Sequence, residues 1–313
     1  MGHESHNHVF MPLGAPSSHS SEVTLEDILN KHLQETGIDV LVLWENIEHL
    51  GNIHWPKYES LKDKPIFIND KTWRDLLRAQ GFNAQRYYPG ADIWSAFRFT
   101  EQSIKANSIK YKFNRMANTT HDHSYAIHKF LYENDMLKDT LWSYGFNITN
   151  PNRNRYLDED YVDLPVKLLE GDTWHNKMRK FELNYFLQAG FIINNETVYH
   201  GHGPSYSEKL VKAIGCCRPF IEVSAPHTLR DLHELGFQTF PDIIDESYDS
   251  IEDPYDRMDA IQEQIKKIHK LSLTEIKDYI IHNEKKFYSN YKVMKRLYKE
   301  TKKLNYKALI IQS

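Results

Sequence analysis

The chain has 313 residues, 40% of them hydrophobic and 26% charged, with a formal net charge of −4. That length fits two ordinary domains, each able to bury its own core, and the near-even charge balance excludes a protein that simply coats nucleic acid. Only two cysteines occur, adjacent at Cys216 and Cys217, which excludes a disulfide framework and suits a reducing compartment.

No run of about 18 apolar residues is present, so no membrane span is expected. The first residues lack the basic-then-apolar order of a secretion signal, so the expected location is cytoplasmic, or the host cytoplasm for a viral protein. Residues 1–22 place His3, His6, His8 and His19 among Ser, Gly and Pro, a composition that predicts a loose N-terminal extension rather than a metal site.

From 23 to 105 the pattern alternates. "LEDILNKHLQETG" spaces Leu25, Ile28, Leu29 and Leu33 at helical intervals and stops at Gly37, and "IDVLVLWE" then reads as a buried strand. "KPIFIND" and "KTWRDLLRAQG" repeat the strand and the glycine-stopped helix, before "RYYPGADIWSAFRFTEQSI" brings a turn and aromatics.

A second alternation fills 106–250. "IKYKFNRMA" predicts a strand, "SYAIHKFLYENDML" an amphipathic helix and "LWSYGFNI" a strand or loop, followed by a polar linker. "FLQAGFIINNE", "PSYSEKLVKAIGCCRPFIEV" and "TLRDLHELGFQTFPDIIDE" continue the series. Strands alternating with helices of this length imply parallel sheets and two α/β domains.

Residues 251–313 read as a helical, basic C-terminal region. After Lys270 there are ten Lys or Arg against four acids, a local charge of +6. A solvated surface and a phosphate-facing rim both fit such a run.

The motif at 204–223 carries the most chemistry. With Ser205 as N-cap, Glu208 falls at the third helical position and completes a capping box, but Lys209 opposes the helix dipole by roughly 0.3–1 kcal/mol. A cation at a helix N-terminus that follows a strand suits an anionic ligand, since free N–H groups and the dipole already favour phosphate there. Glu208 would accept hydrogen bonds from ribose hydroxyls.

"FELNYFLQAGFIINNE…PSYSEKLVKAIGCCRPFIEV" resembles the donor-binding segment of α-1,3-fucosyltransferase-like enzymes. "EKLVK", "PFIEV", "LHELGFQTF" and "DESYD" are also similar to a series in phage and marine-virus glycosyltransferase-like proteins. The resemblance covers about 110–260, is densest over 181–249 and is weak before 105. It implies an α/β fold of the GT-B type, two facing Rossmann-like domains with the helical region 251–313 packing across them. The 23–105 domain would take the acceptor and the 106–250 domain the nucleotide sugar. Ser207, Glu208 and Lys209 match the family triplet, implying ribose binding by Glu208 and pyrophosphate binding by Lys209. Arg115 and His123 fall where the family places a polar loop near the donor, and Asn195 and Glu196 fall near its Glu/Asn pair. The chain has "INNET" where the fucosyltransferases have a Phe-Glu-Asn-Ser run, and Cys216-Cys217 replaces their small pair.

Several of these positions have a bland alternative. Arg115 fits a surface ion-pair residue, and Asp70 fits a helix cap before "KTWRDLL". His121 and His123 flank Asp122, yet with no further ligand in view no metal is expected.

An inverting transferase needs one base for the acceptor proton, and Glu45 and Asp70 end predicted strands, with Asp92 as a further candidate. The implied activity is transfer of a sugar from a nucleoside-diphosphate donor, with no separate cofactor, to a glycan or to hydroxymethylated DNA. The competing expectation is a non-catalytic α/β virion or host-interaction module with a relic nucleotide site. A dehydrogenase is excluded by the lack of Gly-x-Gly-x-x-Gly after a strand.

Overall fold

A computed structural model describes residues 9–12, 40–44, 59, 62–63, 65–68, 71–86, 108–117, 121–144, 164–165, 167, 183–196, 198–200, 204, 208–302 and 308–312. They form a mixed α/β chain with two parallel sheets, divided into two compact units. One unit comprises Met1–Pro89 with Lys299–Ser313, the other Gly90–Tyr298. The division falls at 89/90 rather than 105/106, and most of the C-terminal helical region belongs with the second unit.

In the first unit, β1 (Val9–Pro12), β2 (Val40–Trp44), β3 (Ile66–Ile68), β4 (Ala84–Arg86) and β9 (Ala308–Gln312) form a sheet in the order β1-β9-β2-β3-β4. Ala308 lies beside Val40 and Val9 beside Leu309, so the far end of the chain is the second strand of the sheet. The expectation of helix to the end therefore stops short, because "ALIIQ" is a continuous apolar run of the kind a buried parallel strand needs. Within the segment expected as a loose extension, Val9–Pro12 forms the edge strand.

Helix α1 (Lys71–Ala79) buries Leu77 and ends at Gly81, whose φ of +85° is open to glycine at low cost. Phe82 N then donates to Leu77 O at 3.0 Å. The helix predicted over 25–36 and the turn at Pro89-Gly90 lie outside the described residues.

The second unit holds β5 (Tyr111–Ala117), β6 (Thr140–Tyr144), β7 (Ala189–Asn195) and β8 (Phe220–Val223), all parallel, in the order β6-β5-β7-β8. Every residue of β7 is buried, as a strand covered on both faces requires. Helix α2 (Asp122–Glu133) covers the face that carries Arg115, whose Nη2 donates to Ser124 O at 2.6 Å. On the other face Asn114 Nδ2 donates to the Tyr185 carbonyl of α3 (Leu183–Leu187).

Helix α4 (Glu208–Gly215) links β7 to β8, and α5 (Thr228–Leu235) follows β8 and stops at Gly236, φ +94°. Three further helices, α6 (Pro254–His269), α7 (Leu273–His282) and α8 (Glu284–Lys302), complete the described part of the unit and run past its boundary at 298. Their buried Ile261, Ile265, Ile268, Ile276, Ile280, Phe287 and Met294 each contribute roughly 1.5–3 kcal/mol.

Close approach of α7 depends on Gly190, where a Cβ would lie 2.3 Å from Ile276 Cγ2. Asn290 of α8 mimics a strand partner, accepting from Gln238 N and donating to Gln238 O. Among the described residues no helix is long and apolar enough to cross a membrane.

Candidate functional site

The order β6-β5-β7-β8 reverses direction between β5 and β7, since the chain passes from β5 to one side and from β7 to the other. At such a point the loops leaving the strand ends diverge and open a crevice, where parallel α/β folds bind ligands. The apolar run of β7 turns polar there, at Asn194, Asn195 and Glu196, all buried. The first turns of α2 and α4 bring His123 and Lys209 to the same end.

Asn194 ties two carboxylates together. Its Nδ2 donates to Glu222 Oε2 at 2.7 Å and to Glu196 Oε1 at 3.2 Å. Lys209 Nζ lies 3.9 Å from Glu196 Oε2, with about a third of the side chain exposed. Burial, then the neighbouring Glu196, pushes the Glu222 carboxyl well above the usual carboxylate range, against the opposing hydrogen bond from Asn194. Glu222 is thus a buried, proton-retaining acid beside a second carboxyl and an ammonium.

His123 faces the cluster from α2. Its Nε2 is 2.8 Å from the Glu196 carbonyl, which assigns the proton to that nitrogen and leaves Nδ1 as the acceptor. Burial, followed by His121, holds its pKa well below the usual histidine value, with smaller contributions of the same sign from His200 and Lys209. The ring is therefore neutral, and a phosphate would meet its N–H only if the carbonyl bond were exchanged.

The rings of His121 and His123 stack at 5.4 Å, His123 stacks on Tyr199 at 4.9 Å, and the Arg257 guanidinium lies over the Tyr199 ring at 4.5 Å. Arg257 Nη2 also donates to Tyr199 O, so α6 fixes this column. Among the described residues no group of three or more His, Cys, Asp or Glu side chains could hold a metal ion.

Asn195 differs from its neighbours. Its side chain is buried, yet neither amide atom has a hydrogen-bond partner among the described residues. A buried amide left in that state costs roughly 1–3 kcal/mol, so its retention points to a group that arrives from outside the protein.

Of the residues expected from the sequence, His123, Asn195, Glu196 and Lys209 come together at this strand edge. Arg115 does not present itself at the surface: it is fully buried under α2, so the ion-pair expectation is overturned. Helix α4 is described from Glu208, of which only the backbone is described, and the expected Ser205 cap lies outside the described residues. Glu45, Asp70, Asp92 and Ser207 lie outside the described residues.

Sequence reasoning missed Asn194, Glu222, Tyr199 and Arg257. Glu222 left a signal, as the one charged residue inside the apolar strand "FIEV". No family model, curated protein or solved structure matches this chain.

Proposed function

We propose that the chain is a GT-B glycosyltransferase that moves a sugar from a nucleoside-diphosphate donor to a hydroxyl of a glycan or of hydroxymethylated DNA. The observation that carries this reading is the buried Asn195 amide, without a hydrogen-bond partner among the described residues, at the end of β7 where the neighbouring Glu196 meets Lys209. An ammonium, an amide and hydrogen-bonding carboxyls suit a ligand that is both anionic and rich in hydroxyls.

In this reading Lys209 binds the pyrophosphate and stabilises the departing diphosphate, and Glu208 takes the ribose hydroxyls. Asn195 and Glu196 hold the donor, and His123 fixes Glu196 through its carbonyl. The base is supplied by Glu45 or Asp70 of the first unit or by Asp92, which falls just past the division at 89/90. Exposed Lys285, Lys292, Lys295, Arg296 and Lys299 along α8 support the DNA acceptor over a neutral glycan.

The test is a panel of nucleotide sugars, followed by nucleotide release, with and without duplex DNA. Lys209→Ala is expected to weaken UDP or GDP binding about 10- to 100-fold and nucleoside binding little, since a charge-assisted contact contributes roughly 1.5–3 kcal/mol. Absence of binding to every nucleoside diphosphate would instead favour the non-catalytic module.

A further inference from the structure

Three arginines of the second unit, Arg115, Arg218 and Arg257, are almost completely buried. Arg218 directs its guanidinium at four carbonyls, those of Ala189, Leu187, Cys216 and Cys217. Arg257 reaches those of Ile251, Glu252 and Tyr199. In both cases the negative ends of several peptide dipoles answer the buried charge.

Arg115 lacks such an answer. Only Nη2 is engaged, by Ser124 O at 2.6 Å and Ser124 Oγ at 2.7 Å, and Nε and Nη1 have no hydrogen-bond partner among the described residues. The Tyr144 ring lies 5.1 Å from the guanidinium, and His128, fully buried, stacks on Tyr144 at 4.1 Å. Burial, then the Arg115 charge, lowers His128 to about 4, so it contributes no negative charge and no second cation. Its Nε2 points to Pro165 O, while Nδ1 has no hydrogen-bond partner among the described residues.

The helix makes the imbalance larger. Ser124 lies in the first turn of α2, so the guanidinium sits at the positive end of that dipole. A buried cation in a positive field, with three N–H bonds unanswered, is costly unless an anion offsets it. Water alone would answer the N–H bonds and leave the charge.

We propose that the unanswered N–H groups of Arg115, between β5, β6 and α2 and next to Tyr144 and His128, hold a small inorganic monoanion such as chloride. Nε and Nη1 of Arg115 donate to it, and one accompanying water donates to His128 Nδ1. Because Arg115 is fully buried, a nucleotide cannot reach it without displacing α2, which separates this site from the donor crevice. The inference does not depend on the glycosyltransferase reading.

The full chain is titrated with sodium chloride, bromide, phosphate or gluconate at constant ionic strength, and its melting temperature recorded. Chloride and bromide are expected to give a saturable rise on the order of 2–8 °C, with none from gluconate, which is too large to be buried. Arg115→Met should abolish the difference between salts. As a check that needs no variant, crystals of the unaltered protein grown in bromide should show anomalous density beside Arg115. Equal melting in all salts, a rise with phosphate alone, or bromide density absent from that position would each overturn the proposal.

Discussion

The outer edge of the second sheet and the crevice between β5 and β7 are equally rich in polar residues, but they differ in how those residues are used. At the outer edge the "DESYD" turn is answered throughout. Asp249 accepts from Leu229 N and Arg230 N at 2.9 Å each, capping α5 from a distance. Glu246 accepts from Phe240 N and Thr239 Oγ1, Asp245 from Ser247 N, and the Tyr248 hydroxyl from Glu222 N. At the crevice Asn195 keeps hydrogen-bonding capacity that no described residue meets. Internal bonds account for the first region, and the second keeps capacity beyond them. "DESYD" therefore says little about activity on its own, although it is part of the resemblance noted from the sequence.

Glu222 joins the two regions and gives the largest expected effect. Its folded-state pKa is raised by burial and by Glu196, so the native state holds a proton that the unfolded chain releases near the ordinary glutamate value of about 4.3. The contribution to stability is thus fully present below that value and is lost as pH rises toward the folded pKa. Glu222→Gln keeps an acceptor for Asn194 and cannot ionise. The variant and the parent should melt together in acid and diverge above about pH 5, with the variant the more stable. Parallel curves at every pH would mean that Glu222 is ionised in the fold.

Asp249→Ala comes next, with a loss of about 1–2 kcal/mol from removing the cap of α5. Chemical denaturation measures it, and nucleotide binding should not change. A comparable fall in nucleotide affinity would erase the distinction between the two regions.

Much of this architecture was legible because it rests on local signals. Apolar or strand-like runs marked β2, β3, β5, β7 and β8, and Gly81 marked a helix end whose positive φ only glycine adopts readily, as Gly236 also does in the structure. β4, with "AQR", has no run to read and is specified by pairing with β3. β9 was hidden behind a lysine-rich helix. The capping box that forms in the described structure is Ser272 with Glu275, where both reciprocal bonds are present.

The site was half legible. Lys209 stood out by opposing a dipole, whereas Asn195 and Glu196 entered only through the resemblance to the fucosyltransferase-like segment. The buried arginines were not legible, because what makes burial tolerable for Arg218 and Arg257 is a set of carbonyls remote in sequence.

Asn195→Leu should have the smallest effect on stability and the clearest meaning. The two side chains are close in size, and the change removes a buried donor and a buried acceptor that no described residue satisfies. Transfer of the amide out of water is then no longer a cost, so the variant should be as stable as the parent or up to about 1 kcal/mol more stable. Binding should move the other way, with nucleotide-sugar affinity falling about tenfold or more, since the amide's partner would be the ligand. Gaining stability while losing affinity is the pattern of a group retained for binding. Should Asn195→Leu instead destabilise the fold as much as Asp249→Ala, its amide must have a partner within the protein, and the crevice would be as self-contained as the outer edge.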